Sequence, residues 1–461
     1  MKTTTTTNKI FRVSFLALAL TGLLAIVMLF SCNKEPQQNI TMSFARKPLS
    51  YSSDVLDKWM TMQLRLMRNA TGIPNQAFSR HFAYTGIAAY ESLEPGLNGN
   101  YKWLDKWNGL TGLPVPDPGK KYFYPANANA ALALINKSMF PNASVADKAA
   151  IDSLEAALNQ EFLTEETQSI VDASAAFGRA VAQVVFNWSE ADGYKTANNP
   201  YTIQIGTGLW KPTPPAFVNP STPYWGNNRT IINGSLSNTI VSNPPSYSTD
   251  PTSPFYQMVK EVYDASLVLT DDQKAMAIFW RDVPGVTSPG HWVSILQQVI
   301  KQKQVSLDKA ALAYALAGTA MNDALIRCFQ LKYQTLVIRP VTYIRETMGY
   351  TTWLSHIGTP AHPEYVSAHS SLSMAAAIVM EKLFGANQSF TDHTYDYMNL
   401  SARTYSSYSA IAAEAGLSRL YAGIHYRKSI DDGLFIGRKV AENIFNKQPG
   451  ASGHEARLKR D

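Results

Sequence analysis

SLDKAALAYALAGTAMNDALIRCFQLKYQTLVIRP, Ser306 to Pro340, is the stretch on which the fold turns. As far as about Leu336 its apolar residues keep a helical period over many turns, too long for a strand. Cys328 sits inside that pattern and reads as a small buried hydrophobe. Lys332 and Arg339 are seven residues apart, a spacing that on a continuous helix returns two side chains to nearly the same face. Pro340 biases Arg339 away from helical geometry, so the helix is expected to end between them. Both cations then reach one point, from a helix end and from the loop after it. Their ordinary reading is complementation of the helix dipole.

Outward from this segment the helical period recurs. Toward the C-terminus it covers 370–384, 402–423 and 431–446. Toward the N-terminus it covers 291–302, 271–282, 255–269, 164–188, 145–162 and 128–140, with two further runs that start near Asp54 and Asn75. Ser144 and Thr164 offer N-cap side chains. Alternating strands are scarce, and Thr202 to Ile205 is the nearest candidate. Between 194 and 253 the chain changes to Pro, Asn, Thr and aromatics, including Trp210 and Trp225. So long a stretch without a period is usually functional or packed by its own side chains, and a lid or rim is expected. The reading is all-α: one large helical bundle, residues 52–448, with a long aromatic and Pro-rich loop.

With 45% apolar and 16% charged residues, the 461-residue chain is a globular protein with a quiet surface. A net charge of +6 without a basic run gives no sign of a nucleic-acid partner. Basic residues precede the apolar run Val13 to Phe30, and Leu29-Phe30-Ser31-Cys32 closes it. This resembles a bacterial lipoprotein signal: a signal peptide over 1–31, lipid on Cys32, a tether over 32–51, and an exported protein held at a membrane, on its periplasmic or outer face. Residues 449–461 read as a polar tail. With Cys32 lipidated, Cys328 has no disulfide partner, and the core alone must stabilise the fold. The sequence gives no oligomeric state.

Two further groups share the chemistry of Lys332 and Arg339. Ser367-Ala368-His369 precedes an apolar helical run, and amides at a helix N-terminus bind anions, with Ser367 adding a hydroxyl. An ordinary Ser N-cap beside an exposed His would look the same. Arg419 and His425 are six apart, and Gly423 between them suggests a helix end that turns His425 back toward Arg419. A lone His after a helix is commonly structural.

Together, K-x6-R-P, S-x-H and S-R-x5-H resemble the signature of vanadium-dependent haloperoxidases and type-2 phosphatidic-acid phosphatases, two branches of one all-helical superfamily. The flanking Pro289-Gly290-His291-Trp292 and Ala413 to Arg419 resemble bacterial haloperoxidase-type members, and the likeness is close from about 289 to 446. The resemblance implies vanadate as cofactor, with hydrogen peroxide and a halide as substrates. It makes Lys332, Arg339 and Arg419 the cations around the oxyanion, and Ser367 and the Ala368 amide further donors. His369 becomes the acid–base group that takes a proton from peroxide, and Lys332 the cation that polarises the peroxide. His425 becomes the axial vanadium ligand, or the nucleophile of a phosphatase acting on a phosphate ester.

The chain departs from the family pattern in three places. Ala368 stands where Gly is usual, so this turn should avoid positive φ, which costs a non-Gly residue about 1 kcal/mol or more. Ser429 stands where phosphatases carry an Asp that steadies the last His, with Asp431 as a substitute. That weakens the nucleophilic reading of His425 more than the metal-ligand one. His362 occupies the position where chloroperoxidases resemble one another in having Phe and algal bromoperoxidases have His, while Phe329 replaces a chloroperoxidase Trp. Bromide or iodide is therefore expected rather than chloride, although His362 could also partner Glu364. The alternatives are an exported acid phosphatase and an oxyanion-binding lipoprotein without turnover.

Overall fold

A computed structural model describes residues 51–93, 96–97 and 106–447. The signal peptide, the lipidated Cys32, the tether up to residue 50 and the tail expected over 449–461 lie outside the described residues. Helix α1 is Asp54–Asn69 and α2 Ala77–Ser92; α3 Tyr124–Met139, α4 Val145–Phe162 and α5 Gln168–Ser189 follow. The second half holds α6 Pro254–Leu267, α7 Asp271–Phe279, α8 Ser288–Gln302, α9 Leu307–Thr335 and α10 Pro340–Glu346. It closes with α11 Ala368–Phe384, α12 Tyr408–Tyr421 and α13 Arg427–Phe445.

The sequence placed the helices well and some of their ends poorly. Ser144 does cap α4, accepting from the Asp147 amide at 3.0 Å. Thr164 does not cap α5, because the chain makes another turn and enters the helix from Thr167. Thr202–Ile205 is not a strand. The short strands β1 Phe390–Asp392 and β2 Arg403–Tyr405 pair antiparallel instead, so the period assigned to 402–423 covers a strand before α12 begins. The last helix starts at Arg427 and not at 431.

Helix α9 is the axis of the described fold, packing on α2 and on α11, while α11 packs on α12 and α13. Buried residues occupy most of its surface as far as Lys332, which is why its apolar pattern runs nearly all round the helix. Gly86 and Gly318 bring α2 and α9 into backbone contact. A Cβ on Gly318 would lie 2.6 Å from the Ala83 backbone, and one on Gly86 2.6 Å from the Ala315 amide nitrogen.

The 194–253 segment packs across α9 and its C-terminal end. Trp210 and Trp225 are buried, and the Trp210 amide donates to the Leu336 carbonyl at 2.7 Å. Asp323 of α9 accepts from the Ile231 amide at 2.8 Å, the Ile232 amide at 3.1 Å and the Ser235 hydroxyl at 2.7 Å. Burial pushes that carboxyl up to about 6, against these donors. The segment is thus mainly a strap, and Ser221 is its one contribution to the rim of the cavity described next.

Candidate active site

Four chain breaks carry the site. Helix α9 closes on Leu336 in the left-handed region, φ 50°, and Arg339 then precedes Pro340 in the first turn of α10. Lys332 and Arg339 thus reach one place from a helix end and the next helix start. Ser367 is the N-cap of α11, its hydroxyl accepting from the Ser370 amide at 3.3 Å. Ala368 is the first helical residue, so replacing Gly here costs no strain, and His369 is buried where its structural reading would leave it exposed. After α12 the chain turns at Gly423, φ 77°, and the His425 amide donates back to the Arg419 carbonyl at 3.3 Å.

All three cations are buried. Lys332 Nζ donates to the carbonyls of Pro363 and Glu364, each at 2.9 Å. Arg339 donates to the carbonyls of His362 and Ile424 at 2.9 and 2.8 Å, and its Nη2 meets His362 Nδ1 at 2.9 Å. Arg419 donates to the Ser418 hydroxyl at 2.9 Å and the Ala277 carbonyl at 3.1 Å. Burial lowers Lys332 to about 7 and both arginines to about 10. Among the described residues none of the three meets a carboxylate in direct contact. A dense positive site lacking a contacting anion is costly in a protein interior, and an oxyanion there offsets that cost.

Both imidazoles have their protons placed by their neighbours. His425 Nδ1 lies 2.7 Å from Glu364 Oε1, which also accepts from the Tyr426 amide at 2.9 Å. Nδ1 therefore carries the hydrogen, and Nε2, 3.4 Å from Arg339 Nη1, keeps its lone pair. Burial holds His425 well below its ordinary value, and Arg339 and Lys332 add to the effect, so the ring is neutral. Burial pushes Glu364 up to about 7, with Arg339 and Lys332 opposing. His369 Nε2 faces the Trp280 carbonyl at 2.9 Å and the Ser288 hydroxyl at 2.6 Å, and burial followed by Arg419 lowers this ring to about 4.

A cavity of about 480 Å³ collects the rest. Ala368, His369, Arg419, His425, His362 and Phe329 line it, while Lys332, Arg339 and Ser367 are buried around it. The sequence-predicted residues thus converge, with two corrections. The carboxylate that steadies His425 is Glu364, from the loop before α11, and not Asp431, which is exposed on α13. Ser429, at 3.4 Å from the same Nδ1, is only its neighbour. His362 does not pair with Glu364. It lies on Arg339, with its ring centroid 5.3 Å from that of Phe329.

Sequence reasoning missed Asp282, Ser288 and Trp280, and left Glu364 as one possible partner of His362 without linking it to His425. Asp282 precedes His369 by 87 residues in a loop after α7, and no motif spacing links positions so far apart. Glu364 lies just ahead of the Ser367-Ala368-His369 group, but its direction depends on how the loop folds back.

A buried pocket with three cations, the Ser367 hydroxyl, first-turn amides of α11 and an imidazole lone pair suits a tetrahedral or trigonal-bipyramidal oxyanion. An all-α bundle with such a centre is a class of protein shared by phosphate- and vanadate-handling enzymes. A family model described as the VCPO second helical-bundle domain matches residues 312–450. The first bacterial vanadium-dependent iodoperoxidase superposes with a TM-score of 0.79 at 32% identity, covering 87% of this chain and 98% of that one. Apo- and holo-type bacterial vanadium-dependent chloroperoxidases share the fold, with TM-scores of 0.59 and 0.58 at 16% and 17% identity. They cover 82% and 80% of this chain, and 95% and 92% of their own. No curated protein matches. The chain belongs to the vanadium-dependent haloperoxidase family.

Proposed function

We propose that this chain binds vanadate and oxidises iodide, and bromide less readily, with hydrogen peroxide to the hypohalous acid. The observation that carries the reading is the His425 lone pair, held by Glu364 and lying 3.4 Å from the buried Arg339 guanidinium in a cavity that Arg419 also lines. Lys332, Arg339, Arg419, Ser367 and the Ala368 amide would neutralise the oxyanion, and His425 Nε2 would be the ligand to vanadium. When bound, the group supplies a Lewis acid that activates peroxide toward a halide without changing its own oxidation state. His369, neutral and with Nδ1 unprotonated, takes a proton from the incoming peroxide and later returns one. Lys332 would supply positive charge to the bound oxyanion and so help polarise peroxide there.

The halide assignment draws on two supports: the 32% identity to an iodoperoxidase, and the cavity wall where Phe329 meets His362. Glu364 restores the carboxylate that seemed missing at Ser429, so the residue at 429 no longer separates the peroxidase from a phosphatase with His425 as nucleophile. Metal-free protein reconstituted with orthovanadate is expected to consume peroxide with iodide and bromide, and little or none with chloride. Absence of turnover with any halide, alongside vanadate-inhibited hydrolysis of a phosphate ester, would replace this reading with the phosphatase.

The same proposal places the enzyme at a bacterial membrane through a lipidated Cys32, on the evidence of the sequence alone. Cys32→Ser is expected to move it from the membrane fraction to the soluble fraction. An unchanged distribution contradicts the anchor.

A further inference from the structure

We infer that Ser288 is a positioning residue for His369: its hydroxyl fixes which ring nitrogen carries the proton and which faces the reaction. Hydrogen-bond direction fixes the tautomer. Ser288 opens α8, and both its amide, at 2.8 Å, and its hydroxyl, at 2.9 Å, donate to one oxygen of Asp282. A serine hydroxyl has one proton, and here the carboxylate takes it. Toward His369 Nε2, 2.6 Å away, Ser288 Oγ can therefore only accept. The Trp280 carbonyl, 2.9 Å from the same nitrogen, is an acceptor by nature. The two contacts together favour hydrogen on Nε2 and leave Nδ1 bare, and the Ser288 contact is the shorter one and the one backed by a carboxylate.

The shorter of the two contacts leads to a charge. Nε2 lies 3.8 Å from Asp282 Oδ1, too far for a direct hydrogen bond, and the Ser288 hydroxyl spans the gap. When Nδ1 takes a proton, the cationic ring is met by a hydroxyl already polarised by a carboxylate. Arg419 is the opposing charge and disfavours the cation, so the relay acts where the ring most needs support. Ser288 and His369 both line the cavity, and Ser288 is 4% exposed, so bulk water does not replace its hydroxyl freely.

Only the kinetic consequence rests on the haloperoxidase reading. The test uses full-length metal-free protein carrying ¹⁵N-histidine, with His369 assigned by its loss in His369→Ala. Wild type is expected to show one neutral tautomer, Nε2–H. Ser288→Ala, which keeps the backbone bond to Asp282 and so the start of α8, is expected to show a detectable Nδ1–H population, about a tenth or more. In vanadate-loaded enzyme the same variant is expected to lose about a hundredfold in kcat. Its KM for iodide should stay within about twofold, because halide binding does not involve this hydroxyl. Ser288→Thr restores the hydroxyl and is expected to recover most of kcat and the single tautomer. A single Nε2–H tautomer in folded Ser288→Ala, or a kcat within about twofold of wild type, overturns the inference. If wild type itself has no halide turnover, the functional reading fails, while the tautomer measurement still decides the role of Ser288.

Discussion

Replacing His425 by alanine is expected to abolish halide oxidation and to weaken vanadate binding by at least about a hundredfold, and Glu364→Gln is expected to weaken binding about tenfold. His425 offers a nitrogen lone pair beside Arg339 at the cavity wall, and its removal leaves the cations and amides to bind the anion by charge alone. Glu364 acts one step back. Its Oε1 holds Nδ1–H at 2.7 Å and the Tyr426 amide at 2.9 Å, fixing both the tautomer and the ring plane. Glutamine keeps an acceptor of the same shape and removes the negative charge, so the contrast isolates how far that charge raises the basicity of Nε2. Equilibrium dialysis of the metal-free variants against vanadate measures the binding effects, and peroxide consumption with iodide measures the loss of activity. Wild-type affinity in Glu364→Gln would remove the carboxylate from the account.

Asp192→Ala is expected to destabilise the protein by about 3–5 kcal/mol, the cost of leaving a buried cation without its partner. Arg80 of α2 and Asp192, just beyond α5, meet at 2.6 Å with both side chains 4% exposed. Tyr84 also donates to Asp192, at 3.0 Å, and the Arg80 guanidinium sits over the rings of Tyr84 and Tyr194 at 5.1 and 4.5 Å. Asp192 also accepts from the Tyr194 amide at 2.9 Å, where the aromatic strap begins. One carboxylate therefore ties a core helix to the segment that wraps α9. Because none of these groups lines the active-site cavity, the folded variant should keep its turnover number. Urea denaturation followed by tryptophan fluorescence reads the loss, and a change below about 1 kcal/mol would mean that water or a neighbour replaces the carboxylate.

What could be read from the sequence follows the range of the interactions involved. Helices were legible because their period is local, and the cation groups were legible because each sits at a break that Pro340, Ser367 or Gly423 announces. Family resemblance then joined the groups before any distance was known. The two carboxylate relays were not legible. Glu364 and His425 are 61 residues apart, and Asp282 reaches His369 through a serine on a third element. The loop from 194 to 253 was recognised as irregular, but its role as a strap depends on Asp323, an acid inside an otherwise apolar helical face. Composition marks such a residue as an exception and cannot say what it holds.

The central claim is that His425 binds vanadium through an imidazole nitrogen set by Glu364. Vanadium K-edge X-ray absorption of the reconstituted protein tests it most directly. The account predicts an oxygen shell plus one nitrogen scatterer with imidazole multiple scattering, lost in His425→Ala. A shell of oxygens alone, identical in wild type and His425→Ala, would contradict it.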